Sequence, residues 1–181
     1  MAVKTLLTAD DLLQMSTMGR AELIRGELVK MTPSGGEHGI STVTIGSLLL
    51  NFVKPRNLGR VFGAETGIII SRDPDTVRAA DVAYMSNERL AQVEDLTKFL
   101  DVAPDLVVEV VSPTDRWSEV EEKVAEYLGI GVRLVWVLNP RARSVHIYRP
   151  SGEVRRIGEG DTLDGEDVLP GFAVAVRELF E

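Results

Sequence analysis

The sequence predicts one α/β domain over residues 1–181, with a mixed central β-sheet flanked by helices and an extra β-hairpin towards each end. Two nearly continuous apolar runs, residues 106–111 and 132–138, enclose an amphipathic segment, which is typical of buried parallel strands joined by a helix. Such a strand–helix–strand unit should cross over right-handed. An Arg25-Gly26 pair between two short β-like runs predicts the first hairpin.

Composition narrows the class of protein. Hydrophobic residues make up 44% of the chain and charged residues 27%, which is typical of a globular protein. The absence of cysteine excludes disulfides, zinc ribbons and thiol nucleophiles, and it fits a reducing compartment. Without a long apolar run, the sequence predicts a cytoplasmic protein with no membrane association. A net charge of −8 counts against a protein that coats DNA, although bound divalent metal makes an acidic site compatible with phosphate.

The N-terminal third predicts a short helix, a hairpin and a long helix. Thr8 can cap a helix over residues 9–15, with Asp11 completing a weak capping box. The hairpin follows, and the segment from Pro33 to Gly36 breaks it. A helix is then expected over about residues 37–53, because these residues recur at helical spacing: Ile40, Val43, Ser47, Leu48 and Phe52.

Two β-like runs, residues 61–71 and 77–84, are separated by an Arg-Asp-Pro-Asp turn and should form an antiparallel pair. A short helix is expected over residues 87–93. Ser118 with Glu121 reads as a capping box, so the next helix should run to Leu128 and stop at Gly129. A C-terminal hairpin is predicted from residues 145–148 and 154–157, and a last short helix should follow residues 169–172.

Glu109 is the most informative candidate for chemistry, because it is a carboxylate inside a run that is otherwise Leu and Val. An unpaired buried carboxylate costs several kcal/mol, so such a residue needs a partner, a proton or a metal. Two simpler interpretations stay open. Glu109 could face solvent at a sheet edge, or it could pair with an arginine.

Asp81 and Lys123 are the two other candidates. Asp81 lies within a β-like run, where aspartate is disfavoured, although it could simply cap a turn at the end of the strand. Lys123 lies at the edge of the apolar stripe of its helix, so its amine could reach past the end of the sheet. Its simpler interpretation is a surface pair with Glu119, four residues earlier.

Together these residues suit metal-dependent phosphodiester cleavage, which needs hard oxygen ligands for Mg²⁺ and a nearby positive group. Other chemistry has little support. The only histidines are His38 and His146, which disfavours a histidine-based metal site. The sequence contains neither a nucleophile elbow nor a phosphate-binding Walker loop.

An ordered set of short motifs extends over nearly the whole chain. The matching residues are Glu22 to Leu28, Pro33, His38, Val77 to Val82, Pro104 to Pro113, Lys123, Tyr127, Gly131, Val132 and Trp136. On these residues the chain resembles the Uma-two family of restriction-endonuclease-like proteins, within the PD-(D/E)XK superfamily. The resemblance implies a nuclease-like core and a metal-dependent endonuclease that acts on DNA.

The resemblance also implies roles for individual residues. Asp81 and Glu109 would bind Mg²⁺ or Mn²⁺, with the main-chain carbonyl of Val110 as a further ligand. The motif lysine, expected at Val111, would be displaced to Lys123 in the next helix. Alanine replaces the proline that precedes the motif aspartate. The auxiliary residues implied by the family pattern are Glu27 and His38.

The sequence hypothesis is therefore a homodimeric, metal-dependent DNA endonuclease with Asp81, Glu109 and Lys123 as its catalytic residues. One alternative is a catalytically inactive member that binds DNA or a partner protein, which the negative charge and the displaced lysine allow. Another is an oligomerisation module whose C-terminal hairpin pairs with a second copy. In that case the three charged residues would form a buried ion network without metal.

Overall fold

The computed structural model describes residues 6–15, 19–63 and 65–181. Its elements, in chain order, are α1 (Ala9–Gln14), β1 (Ala21–Ile24), β2 (Glu27–Lys30), α2 (Gly36–Val53), β3 (Gly59–Phe62), β4 (Thr66–Ser71), β5 (Thr76–Ala80), β6 (Val82–Ser86), α3 (Asn87–Leu90), β7 (Leu106–Val110), α4 (Trp117–Gly129), β8 (Leu134–Asn139), β9 (Ser144–Tyr148), β10 (Val154–Gly158), β11 (Thr162–Asp164), β12 (Ala173–Ala175) and a 3₁₀ helix (Val176–Phe180).

A six-stranded mixed sheet, in the order β10-β9-β8-β7-β6-β3, forms the centre of the fold. Strands β7 and β8 are parallel and joined by α4, as predicted, and every residue of β7 is buried. The other neighbours in this sheet pair antiparallel. Apolar side chains pack on both faces, with α2 on one face and α4 on the other. The side chain of Glu109 therefore lies on the face that α4 covers.

The N-terminal elements match the sequence prediction closely. Thr8 caps α1, and its capping box with Asp11 is present. Strands β1 and β2 form the predicted hairpin, with Leu23 opposite Leu28. Arg25 and Gly26 both adopt positive φ at its turn, a conformation that glycine reaches without steric cost. This hairpin joins β5 and β4 in a second, four-stranded sheet of order β2-β1-β5-β4.

The two long β-like runs pair antiparallel, but the prediction of two continuous strands was wrong. Each run is divided between the sheets: β4 pairs with β5 in the four-stranded sheet, and β3 pairs with β6 in the six-stranded sheet. The second run bends at Asp81, between β5 and β6. The bend turns the Asp81 side chain towards β7 and α2, and this arrangement creates the site described below.

Helix α2 begins one residue before its predicted start. Of the five residues that indicated it, only Leu48 and Phe52 pack against the core, and both are partly buried. The buried side chains of the helix are His38, Ser41, Ile45, Leu49 and Val53, whereas Ile40, Val43 and Ser47 are exposed. Apolar residues occur on more than one side of this helix. Helical spacing alone therefore identifies the helix but does not select the stripe that packs on the sheet.

Helix α4 corrects the predicted capping box. The helix begins at Trp117, and its N-cap residue is Arg116, which makes no side-chain capping bond, so Ser118 lies inside the first turn. The preceding turn is closed by Asp115, whose carboxylate accepts a hydrogen bond from the main chain of Ser112. Gly129 is the last helical residue rather than the stop, and the chain turns at Gly131, where φ is positive.

The C-terminal hairpin forms as predicted from β9 and β10, and it extends the six-stranded sheet. A small two-stranded sheet, β11 with β12, was not predicted, and the last helix is a 3₁₀ turn. Helix α3 ends three residues earlier than expected. Among the residues that the structure describes, none of the helices is long and apolar enough to span a membrane.

Candidate active site

A cavity of about 750 Å³ lies between the N-terminal hairpin, helix α1 and the start of helix α4. Its polar side is lined by Glu22, Asp81, Glu109, Val110 and Lys123, with His38 at the same end. Three elements supply the candidate catalytic residues: the bend between β5 and β6, the end of β7, and the middle of α4. The fold thus brings Asp81, Glu109 and Lys123 to a single cavity.

Glu109 is buried near the end of β7 and has two side-chain partners. The hydroxyl of Tyr127 donates a hydrogen bond to its Oε1 at 2.7 Å, and the amine of Lys123 lies 3.6 Å from its Oε2. Burial raises the pKa of Glu109 to about 7, with Asp81 adding to the rise and Lys123 opposing it. A carboxyl group with this pKa changes charge easily near neutral pH.

Asp81 is tied to the strand that carries Glu109. The main-chain N–H of Val110 donates to Asp81 Oδ2 at 2.8 Å, and His38 Nε2 lies 3.2 Å from the same oxygen. The hydrogen bond to Asp81 raises the pKa of His38 above its ordinary value, against the opposing effect of burial. Both contacts use one carboxylate oxygen, so His38 and Val110 fix the orientation of Asp81 at the cavity.

Lys123 turns into the cavity instead of pairing along the helix surface. Its Nζ lies 2.9 Å from Glu22 Oε1, as well as 3.6 Å from Glu109 Oε2. Burial disfavours the charged amine, but the two carboxylates outweigh that effect and raise the pKa of Lys123 above its ordinary value. A cation is therefore held beside Glu109 at all physiological pH values.

Glu22 is a site residue to which the sequence reasoning assigned no role. It lies in β1 and accepts hydrogen bonds from Arg78 at 2.9 Å and from the main chain of Ala79 at 3.2 Å. Although its burial acts in the opposite direction, Lys123 and Arg78 hold the pKa of Glu22 below its ordinary value. Arg78 also donates to Glu126 of α4 at 2.6 Å. A carboxylate inside a short apolar strand, the pattern that singled out Glu109, is also present at Glu22.

Glu27 lies elsewhere in the hairpin. Glu27 is exposed on β2. It is not among the described residues that line the cavity. Its cross-strand partner is Ile24, at the turn end of the hairpin. Of the two auxiliary residues, the structure therefore brings His38 to Asp81 and places Glu27 away from the cavity.

The donor set determines whether the site suits a divalent metal. Across residues 6–15, 19–63 and 65–181, no group of three or more carboxylate or imidazole side chains is arranged to hold a metal ion. The donors at hand are the carboxylates of Asp81 and Glu109, and Val110 lines the same cavity. Mg²⁺ is commonly bound through one or two carboxylates, with water and substrate phosphate as its other ligands. These residues therefore fit Mg²⁺ or Mn²⁺ as part of a shared coordination shell.

A family model described as "Uma2: Putative restriction endonuclease" matches residues 9–177 of the chain. The chain belongs to the Uma2 family. The match includes every candidate site residue, from Glu22 to Lys123. No curated protein matches the sequence of this Uma2 chain significantly.

The fold is also similar to a solved structure, described as "a putative nuclease belonging to DUF820 from Anabaena variabilis". The TM-score is 0.82, at 20% sequence identity, and the alignment covers 96% of this chain and 97% of the other. This Uma2 chain thus has the predicted mixed α and β architecture and the restriction-endonuclease-like fold that the family resemblance implied.

Proposed function

We propose that the protein is an endonuclease that hydrolyses phosphodiester bonds of DNA with the aid of a divalent metal ion. The observation that carries this proposal is the position of the Lys123 amine, 3.6 Å from the Glu109 carboxylate, at a cavity that Asp81 also lines. Metal-dependent cleavage of a phosphodiester uses this combination of oxygen ligands and a fixed cation. Membership of the Uma2 family supports the same reaction.

The carboxylates of Asp81 and Glu109 and the carbonyl of Val110 would hold Mg²⁺ or Mn²⁺. When bound, such an ion supplies a water of lowered pKa and neutralises charge on the phosphate. Tyr127 holds Glu109 through one oxygen, and His38 and the Val110 N–H hold Asp81. These partners lock the two carboxylates, which reduces the reorganisation needed on binding.

Lys123 is the proposed catalytic cation. Its amine is charged and held in position by Glu22, so it can orient the attacking water or stabilise the extra negative charge on the phosphate in the transition state. The displaced motif lysine thereby acts from α4 instead of from β7. No rearrangement of the main chain is needed for this assignment, because Lys123 already lies beside Glu109.

The cleavage assay uses supercoiled plasmid and single-stranded DNA with Mn²⁺ or Mg²⁺. Lys123→Met should lower the rate about 10²–10³-fold, as expected for loss of a transition-state donor. The exposed Lys98→Met and Glu88→Gln serve as matched controls and should cleave like the native chain. Equal cleavage by Lys123→Met and the native chain would contradict the assignment of Lys123 as the catalytic cation.

A second candidate function has one observation in its favour. The buried residues Glu22 and Arg78 form a chain of ion pairs with the partly buried Lys123 and Glu126. Such a chain is expected for a structural network in a catalytically inactive member that binds DNA or a partner protein. Replacing Asp81, Glu109 and Lys123 together by apolar residues of similar size would then leave stability unchanged or raised. The endonuclease proposal differs in its prediction for metal: the native chain binds it and this triple variant does not.

The homodimer and the cytoplasmic location expected from the sequence are also part of this proposal. A two-fold dimer would present two sites and could cut both strands of a duplex in one encounter. Sedimentation of the native chain at micromolar concentration measures the oligomeric state, and fractionation of cells measures the location.

A further inference from the structure

One part of the cavity lining, called the apolar wall below, consists of apolar side chains. Residues of α1, the hairpin and the segment before β7 form it, namely Leu12, Leu13, Met15, Ile24, Val29, Met31 and Phe99. Leu13 and Val29 keep 39% and 38% of their surface exposed inside this concave region. Single exposed apolar residues are ordinary on protein surfaces, but a concave apolar lining that faces a few polar groups is typical of a binding site.

An aromatic ring is built into this wall. Phe99 lies against Gly67 of β4, where a β-carbon would come within 2.3 Å of the ring. Glycine is therefore required at that position for Phe99 to occupy its place. Gly67 itself lines the cavity. The wall thus offers a ring and several aliphatic side chains in the same cavity as the charged residues.

The two carboxylates are nearly buried, so a single strand can reach them more easily than an intact duplex can. Asp81 is 4% exposed and Glu109 is 8% exposed, so a phosphate must enter the cavity to reach them. A single strand is narrower than a duplex, and its bases can turn away from the backbone.

The charges of the chain and its cavity also favour a single strand over a duplex. Tight binding of duplex DNA rests on many phosphate contacts from a basic face, whereas this chain has a net charge of −8. The cavity-lining cations are Arg20, Arg78 and Lys123, and each is already paired with a carboxylate. Single-strand binding draws part of its affinity from bases stacked on aromatic side chains, and the wall provides one such side chain, Phe99.

We propose that the cavity takes one DNA strand, with its bases against the apolar wall and a phosphate beside Asp81, Glu109 and Lys123. The substrate class is therefore single-stranded DNA, or a single-stranded tail on a duplex. This inference rests on the proposed nuclease function and narrows its substrate. It needs only one site, so it holds for a monomer as well as for a dimer.

Binding of a fluorescein-labelled 12-nucleotide DNA, alone or annealed to its complement, tests the proposal by fluorescence anisotropy. The assay uses the full chain with Ca²⁺, which accepts the same oxygen ligands. Leu13→Ser and Val29→Ser remove the exposed apolar wall. Leu50→Ser and Val154→Ser are matched controls: Leu50 is a helical leucine 45% exposed, and Val154 is an edge-strand valine 53% exposed, both outside this cavity.

The single strand should bind at least tenfold more tightly than the duplex. Leu13→Ser and Val29→Ser should each weaken single-strand binding several-fold, and the double variant at least tenfold, while both controls bind like the native chain. Thermal melts confirm that each variant folds. Equal binding of duplex and single strand would overturn the proposal, as would wall variants that bind no more weakly than their controls.

Cleavage of the same DNAs with Mn²⁺ tests the substrate class and the nuclease function separately. Cleavage of duplex without preference for the single strand overturns the substrate class and leaves the nuclease function standing. If the single strand binds strongly and neither DNA is cleaved, the nuclease function is overturned. The single strand then still occupies the cavity as proposed. If neither DNA binds, the occupant is overturned whatever the cleavage result.

Discussion

Lys123 and Glu22 form an ion pair of 2.9 Å that joins helix α4 to strand β1 across the cavity. The pair lies between residues that are 101 positions apart in the sequence. It holds the amine of Lys123 near Glu109, and Arg78 binds the other oxygen of Glu22. The N-terminal hairpin is thus part of the machinery that positions the candidate catalytic cation.

Glu22→Gln should therefore affect both stability and catalysis. Arg78 keeps its contact with Glu126, so the loss of stability should be about 2 kcal/mol, below the range for an isolated buried pair. Lys123 loses its anchor, so kcat should fall about tenfold with little change in KM. Urea unfolding and steady-state cleavage measure the two effects, and the exposed Glu88→Gln is the control. An unchanged kcat would show that Glu22 serves folding alone.

The raised pKa of Glu109 predicts how stability changes with pH in the absence of metal. Its pKa is about 7 in the folded chain and near 4.5 when unfolded, so the folded state binds the proton more tightly. The resulting stability is fully present below pH 4.5 and is lost as pH rises through about 7. Between pH 5 and pH 8 the loss should be about 2–3 kcal/mol, from a shift worth about 1.4 kcal/mol per pH unit.

Glu109→Gln removes that titration, so its stability should vary much less between pH 5 and pH 8 than that of the native chain. Urea unfolding in EDTA at several pH values gives the comparison. Glu88→Gln should keep the native dependence, because its side chain is exposed. Identical slopes for the native chain and Glu109→Gln would mean that another group carries the dependence.

Tyr127→Phe tests the partner of Glu109. The variant loses a hydrogen bond of 2.7 Å inside the core, which should lower stability by about 1–2 kcal/mol. Because Tyr127 also orients a carboxylate assigned to the metal, affinity for Mn²⁺ should fall about 10–100-fold. Tyr148→Phe, in β9, is the matched control and should leave Mn²⁺ affinity unchanged. If Tyr127→Phe bound Mn²⁺ as tightly as the native chain, Tyr127 would have no part in metal binding.

The packing of α2 can be tested with two isoleucines. Ile45 is fully buried against the six-stranded sheet, so Ile45→Ala should cost about 2–5 kcal/mol. Ile40→Ala changes an exposed side chain and should stay within about 0.5 kcal/mol of the native value. Chemical unfolding measures both. If Ile40→Ala were the more damaging change, the helix would pack through the stripe that the sequence had indicated.

Much of the fold could be predicted because its strongest patterns are local. The apolar runs of β7 and β8 identify buried parallel strands without any knowledge of their neighbours. The burial face of α2 could not be predicted, since apolar residues lie on several sides of it. Nor could the division of each long β-like run, because two sheets compete for those residues and only the assembled fold decides between them.

The candidate site shows the same distinction. Asp81, Glu109 and Lys123 are unusual in their local surroundings, and the resemblance to a family gave each a role. Glu22 shows a shorter form of the pattern at Glu109, a carboxylate between apolar residues of a four-residue strand, and this pattern alone does not reveal its partners. Its importance comes from Arg78 and Lys123, which are remote in the sequence and meet it only after the two sheets and α4 have packed.

Calorimetric titration of the native chain, Asp81→Asn and Glu109→Gln with Mn²⁺ tests the central claim most directly, with Glu88→Gln as the control. The proposed site predicts saturable binding by the native chain and by Glu88→Gln, and loss of binding in both other variants. Absence of binding by the native chain at millimolar Mn²⁺, or equal binding by all four proteins, would contradict the metal site and leave only the fold.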